Sequence, residues 1–90
     1  MAIAAFLKDP EAYLDYSIDW AEWLEDDVII GSEWSTKGDL KIERDSYTDT
    51  ITTVWLTGGP NSSRHDVTNT ITTAGGRIDE RTIVIKCRHK

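Results

Sequence analysis

The 90-residue chain predicts an all-β domain, an antiparallel β-sandwich of six or seven short strands. Three observations lead there. Apolar and polar residues alternate with a period of two through most of the chain, which sends successive side chains to opposite faces of a sheet. Turn signals rich in glycine, proline, asparagine and aspartate recur about every ten residues. No helical stretch of the kind that links parallel strands lies between the candidate strands.

The first candidate strand is Ala12 to Ile18, with Leu14, Tyr16 and Ile18 on the core side and Tyr13, Asp15 and Ser17 opposite. Trp20, Trp23 and Leu24 then lie at i, i+3, i+4, which predicts one short helical turn near residues 20–24 with Asp19 as its N-cap. Glu25-Asp26-Asp27 reads as a solvated turn. Val28 to Ser35 is a second strand, with Ile30, Ser32 and Trp34 sharing a face and Gly31 marking a bulge. Lys37-Gly38-Asp39 turns the chain into a short strand, Leu40 to Glu43, with Leu40 and Ile42 inward. Arg44 to Tyr47 reads as a connection. Thr50 to Thr57 is strongly β-prone. Gly58 to Ser62 is the strongest turn signal in the chain. Val67 to Thr73 alternates again, with Val67, Asn69 and Ile71 on one face. Ala74-Gly75-Gly76-Arg77 reads as a hairpin turn, and Arg81 to Arg88 is the last strand, with Ile83, Ile85 and Cys87 inward. Immunoglobulin-like topology fits this order best; a small closed barrel is the alternative. The expected division is an N-terminal arm, 1–11, and a single sandwich domain, 12–90.

Two strings are nearly identical: "TDTITT" at Thr48 to Thr53 and "TNTITT" at Thr68 to Thr73. One near-copy is not a repeat array, which needs three or more units. The strings fall on consecutive predicted strands. They are therefore expected to be antiparallel neighbours whose β-branched side chains pair across the ladder. A threonine array that recognises a ligand is the alternative.

The net charge is −6 and is unevenly spread. Residues 1–50 carry thirteen acidic and four basic side chains; residues 51–90 carry three and six. An acidic chain is repelled by nucleic acid and anionic membranes, so neither is expected as a partner. The split reads as two differently charged solvated faces, or as complementarity between copies or with a partner. The single cysteine, Cys87, forms no internal disulfide and reads as a small buried hydrophobe, which fits a reducing compartment. Ile3 to Leu7 is too short for a signal-peptide core and no run approaches membrane-spanning length, so synthesis in the cytosol is expected.

Catalytic signals are poor. His65 and Asp66 are adjacent and so point to opposite faces of a strand, and Ser62 and Ser63 sit in no nucleophile-elbow pattern. Cys87 and His89 are two potential metal ligands, and two are not a zinc site. The acidic residues Asp19, Glu22, Glu25, Asp26 and Asp27 lack the glycine-hinged spacing of a calcium loop. No catalytic residue, metal or cofactor is expected. Trp34 and Trp55, on strands, read as core. Trp20 and Trp23 read as core or as partly exposed interface anchors. The apolar run holding Ile3, Phe6 and Leu7 needs cover and is a candidate docking arm.

Four pieces of the chain, in this order and spacing, carry a resemblance: Lys8-Asp9-Pro10; Asp19-Trp20 with Trp23-Leu24; Trp55-Leu56-Thr57-Gly58-Gly59; and Ile71-Thr72-Thr73 through Gly75-Gly76-Arg77 to Asp79-Glu80-Arg81. Together they resemble small structural proteins of tailed bacteriophages, the phage fibre-tail adaptor or head-tail region family, over most of the chain. Between Gly59 and Asp66 the family tends to carry another glycine and an aromatic, where this chain has Pro60 and His65. The resemblance implies a non-enzymatic virion component with an immunoglobulin-like sandwich, made in the host bacterial cytoplasm. Its partners would be other virion proteins of the tail, fibre or head-tail connector, and copies of itself in a ring. The residues expected to dock are Ile3, Phe6, Leu7, Trp20, Trp23, Arg77 and Arg81. A ligand-binding sandwich, with Trp20 or Trp23 as a carbohydrate-stacking platform, is the alternative.

Overall fold

The computed structural model describes residues 2–88. Seven strands and one helical turn follow in order: β1 (Ala2–Lys8), β2 (Leu14–Asp19), α1 (Ala21–Leu24), β3 (Ile29–Ser35), β4 (Leu40–Tyr47), β5 (Ile51–Gly58), β6 (Ser63–Thr73) and β7 (Ile78–Cys87). They form a four-stranded sheet, β1-β7-β6-β3, and a three-stranded sheet, β2-β5-β4. Every pairing is antiparallel except β1 with β7. The all-β sandwich is therefore as the alternation predicts. The arrangement is compatible with immunoglobulin-like topology: β2-β5-β4 and β7-β6-β3 fall as the B-E-D and G-F-C strands of such a sandwich do, with the first strand beside the last.

Alternation puts the core where expected. Ile18, Val54 and Leu56 from one sheet meet Val67, Ile71, Ile83, Ile85 and Cys87 from the other. Trp20 packs into this core with no exposed surface. Its indole N–H donates to Asn69 Oδ1 at 3.1 Å and lies 3.3 Å from Thr52 Oγ1. The Thr52 hydroxyl donates to the same Asn69 oxygen at 2.7 Å. Asn69 Nδ2 donates to Ser32 Oγ and to the Glu33 carbonyl. A buried polar group costs free energy unless it is bonded, and this node satisfies its members while joining β3, β5 and β6.

That node corrects the reading of the threonine strings. They are not ladder neighbours: β5 and β6 lie in different sheets. The Gly58-to-Ser62 turn carries the chain across the sandwich. The strings meet through the core, at Thr52 and Asn69. Their outward threonines pair elsewhere, Thr53 with Ser17 at 2.8 Å and Thr68 with Thr82 at 2.9 Å.

Other boundaries shift for physical reasons. Residues 2–8 are not an arm outside the sandwich but its edge strand β1. There Ala4 and Phe6 pack on the core, and Phe6 meets the Tyr16 ring at 5.0 Å between centroids. β4 runs through Tyr47, whose hydroxyl donates to the Ile30 carbonyl across the sheets. β6 begins at Ser63, because its ladder with β7 continues to Ser63↔Cys87 although the side chains there are polar. The bulge expected at Gly31 is present as a register shift between Ile29 and Gly31. That shift turns Ile30 outward, where it is exposed. Asp19 Oδ1 accepts the Ala21 N–H at 2.9 Å, although Trp20 holds the cap position.

Candidate interface

The molecule is elongated, 42 × 23 × 19 Å. Strand directions put α1 and the β6–β7 hairpin at one end, and the β3–β4 and β5–β6 turns with the end of β1 at the other. Asp19, Glu22, Glu25, Asp26 and Asp27 gather at the first end, while at the second Lys37, Arg64, Lys86 and Arg88 stand among Asp9, Glu11, Asp39 and Asp66.

At the acidic end the chain fastens itself. Asp27 Oδ1 accepts the backbone N–H groups of Gly75 and Val28, both at 2.9 Å, and Oδ2 accepts Arg77 Nε at 3.1 Å. The Thr73 hydroxyl is the chief cause that holds the Asp27 carboxyl at about 2 instead of 3.8, with the Gly75 and Val28 amides and Arg77 adding to it against the opposing effect of burial. A Cβ on Gly75 would stand 2.8 Å from Asp27 Oδ2, so the hairpin needs a glycine to come this close. The Arg77 guanidinium also donates to the Trp23 and Leu24 carbonyls and stacks 4.2 Å above the Trp23 ring. Four residues on, Arg81 stacks 4.2 Å above Trp20 and donates to the Asp19 carbonyl. Arg77, just before β7, and Arg81 within it clamp the helical turn onto the sandwich.

The other end is fastened by a different device. Lys8 is fully buried, and its ammonium donates to the carbonyls of Gly58 (2.8 Å) and Asp9 (3.0 Å). Burial pushes its pKa down, with Cys87 and Asp9 opposing. Gly59, at φ 90°, packs so tightly that a Cβ there would collide with Cys87 Sγ.

The residues expected to dock therefore separate. Ile3 and Leu7 lie on the outward side of β1, 50% and 60% exposed, and are free to meet a partner. Phe6 is half-buried on the inward side. Trp20 is wholly core and cannot serve as an anchor. Trp23, Arg77 and Arg81 are partly accessible but are tied to one another and to backbone carbonyls. The structure brings Trp20, Trp23, Arg77 and Arg81 together at the acidic end; Ile3 falls between the positions paired with Thr82 and Ile83, next to Arg81 along the ladder, and Leu7, paired with Lys86, lies toward the other end.

Trp55 departs from the core position expected of it. It points out from β5, the central strand of the three-stranded sheet, with Arg44 stacked 4.3 Å above its ring and Asp15 opposite in register. Tyr13, 53% exposed, lies just before β2 at the same face. The signal was present in "TTVWLT": if Val54 and Leu56 point in, Trp55 points out. Trp34, by contrast, is partly buried against the core as expected.

Ser63 Oγ lies 3.0 Å from His65 Nε2, but His65 Nδ1 faces the Lys37 carbonyl at 3.2 Å where a triad would place a carboxylate. Asp66 turns outward to Arg64. Among the described residues no three potential metal ligands converge, and His89 lies outside them. No helix among them is long and apolar enough to cross a membrane.

The four sequence pieces singled out above supply much of the two fasteners, which Asp27 and Cys87 complete from outside them. Lys8-Asp9-Pro10 meets Gly58-Gly59 at one end, and Asp19-Trp20 with Trp23-Leu24 meets Gly75 to Arg81 at the other. A comparison with curated proteins gives no match. The family model described as "Podophage GP4 fiber-tail adaptor protein gp77" matches residues 8–86, a span that takes in both fasteners except for Cys87, and six of the seven strands in full or nearly so. The chain belongs to this family of fibre-tail adaptors of tailed phages.

Proposed function

We propose that the chain is a non-enzymatic docking module of the virion, holding fibre to tail through protein–protein contacts. The observation that carries this reading is the outer face of the three-stranded sheet. A tryptophan stands there outside the core, preorganised by Arg44 and flanked by Tyr13. Tryptophan, tyrosine and arginine dominate binding energy at protein interfaces. A sandwich clamped at both ends presents such a face at little entropic cost. Several copies around a tail, each contributing a modest contact, sum to firm attachment. Synthesis in the bacterial cytoplasm precedes assembly on this reading. The carbohydrate-binding alternative loses its platforms, because Trp20 is buried and Arg77 covers a face of Trp23.

Mass spectrometry of purified particles tests the reading; absence of the chain from particles overturns it. In particles carrying Trp55→Ala the fibres are expected to be lost or depleted while the isolated variant remains folded. Fully fibred particles with that variant would remove the Trp55 face from the mechanism.

A further inference from the structure

β6 is eleven residues long, but β3 covers only part of its edge. The β3–β6 ladder ends at Ser35↔Thr68, while β6 continues to Ser63 alongside β7. Backbone groups along a strand point alternately to the two neighbours. The Thr73 N–H bonds toward β7, to Arg77, and the Ala74 N–H bonds toward the β3 side, to Val28. Even-numbered residues of β6 therefore direct their N–H and C=O toward β3. One of these, the Asp66 carbonyl, accepts the Thr36 hydroxyl at 3.2 Å, which agrees with the assignment. The Lys37 carbonyl, which would continue the ladder, faces His65 Nδ1 instead, and the chain turns away. The N–H and C=O of Arg64 and the N–H of Asp66 are left facing a hollow of about 510 Å³ lined by Ser35, Lys37, Arg64, His65 and Asp66 among others.

We propose that this hollow is an unfilled strand position, and that it takes a short extended acidic segment of a partner protein as an added strand beside β6. The overhang Ser63–Val67 accommodates a strand of about four or five residues at ~3.4 Å per residue. An exposed strand edge is a template for such pairing. The charge of the occupant follows from the rim. Lys37 and Arg64 flank the hollow, and Lys86 stands opposite Arg64 in register. The one carboxylate, Asp66, meets Arg64 only in an exposed pair at 3.8 Å, which leaves the rim net positive. Acidic side chains alternating along the segment would meet these cations while its backbone pairs with β6. The proposal deepens the docking reading above and rests on it for the partner's being a virion protein. Its test uses the isolated chain, so its failure leaves the particle experiment untouched.

The probe is a seven-residue peptide alternating valine and glutamate, titrated into the full chain and followed by amide hydrogen exchange and chemical shifts. Its controls are the same peptide with lysine for glutamate, an acidic peptide of equal charge with alternate prolines, and an oligothymidylate. The acidic peptide is expected to slow exchange at the Arg64 and Asp66 amides and to bind at least about tenfold tighter than the lysine peptide. The double variant Lys37→Glu with Arg64→Glu is expected to weaken it about tenfold, since exposed charge contacts contribute a few-fold each. No protection at Arg64 and Asp66 overturns the proposal. Equal binding by the proline peptide or by the oligothymidylate also overturns it, because that would make the hollow a site for charge alone.

Discussion

Asn69→Leu tests whether the buried node holds the two sheets together. The substitution keeps roughly the volume and removes four bonds, two accepted from Trp20 and Thr52 and two donated to Ser32 and the Glu33 carbonyl. Trp20 Nε1 retains only the 3.3 Å contact to Thr52. The Thr52 hydroxyl, fully buried, loses its acceptor. A buried donor left without a partner costs about 1–3 kcal/mol. One donor fully orphaned and one half-satisfied, offset in part by the apolar gain of leucine, give an expected loss of about 2–4 kcal/mol. In a domain of this size that lowers Tm by roughly 8–32 °C, at about 4–8 °C per kcal/mol. Urea unfolding monitored by tryptophan fluorescence measures it, with the m-value checked for constancy.

The Thr52→Val background checks which donor is exposed to the loss. There Asn69→Leu no longer strands a threonine hydroxyl, but it leaves the Trp20 N–H with no acceptor at all, because both Asn69 Oδ1 and Thr52 Oγ1 are gone. Asn69→Leu is therefore expected to cost about 1–3 kcal/mol in that background too. An Asn69→Leu protein as stable as its parent in either background would refute the reasoning and would mean that apolar packing alone joins the sheets.

Two further outcomes follow from the fasteners at the ends. Because the Asp27 carboxyl is held below its unfolded value, its contribution is fully present above about pH 3.8 and is lost as pH falls through about 2. Carboxyl titration by NMR should show Thr73→Val raising the Asp27 pKa, and Arg77→Gln raising it less; an unmoved titration in Thr73→Val would contradict the assignment of the cause. Gly59→Ala must place a side chain at φ 90° and against Cys87 Sγ, for a combined cost of about 2–4 kcal/mol. In a Cys87→Ala background only the backbone part remains, about 1–2 kcal/mol, and equal costs in both backgrounds by urea unfolding would show that the collision is not what matters.

The strand faces were legible in the sequence because alternation is a local property. Tyr16 and Ile18, Val54 and Leu56, and Ile83 and Ile85 all turn inward as the pattern requires. Alternation says which side chains share a face but not which strands share a sheet, so the two threonine strings read as ladder neighbours when they face each other across the core. β1 was illegible for a related reason. Its pairing is parallel and made with the far end of the chain, and its inward face carries Lys8, a residue rarely buried. Only the carbonyls of Gly58 and Asp9, brought there by the fold, make that position tenable. Ser63 to Asp66 read as turn because its side chains are polar, yet its backbone is held in the β7 ladder. Trp55 reads as core because it lies on a strand, although its own register turns it outward. The contacts of the Arg77 and Arg81 guanidinium groups with Trp23, Trp20 and backbone carbonyls join distant parts of the chain, and alternation carries no sign of them.

The groups that fasten the two ends act within the domain: an aspartate that receives two backbone amides and an arginine, arginines stacked on tryptophans, a buried lysine between carbonyls, and a glycine against a cysteine. Such groups leave little freedom for substitution, since each is bonded to a partner that would be left buried and unsatisfied. Outward positions on the strands carry no such constraint. Trp55, Tyr13 and Arg44 on one sheet, and Lys37 and Arg64 at the open edge of the other, can change without disturbing the clamps. The frame and the contacts are thus separate parts of the sequence. Partner choice within a family built this way would be set by the outward residues and by the unfilled edge of β6, while the end clusters keep the sandwich rigid enough to present them.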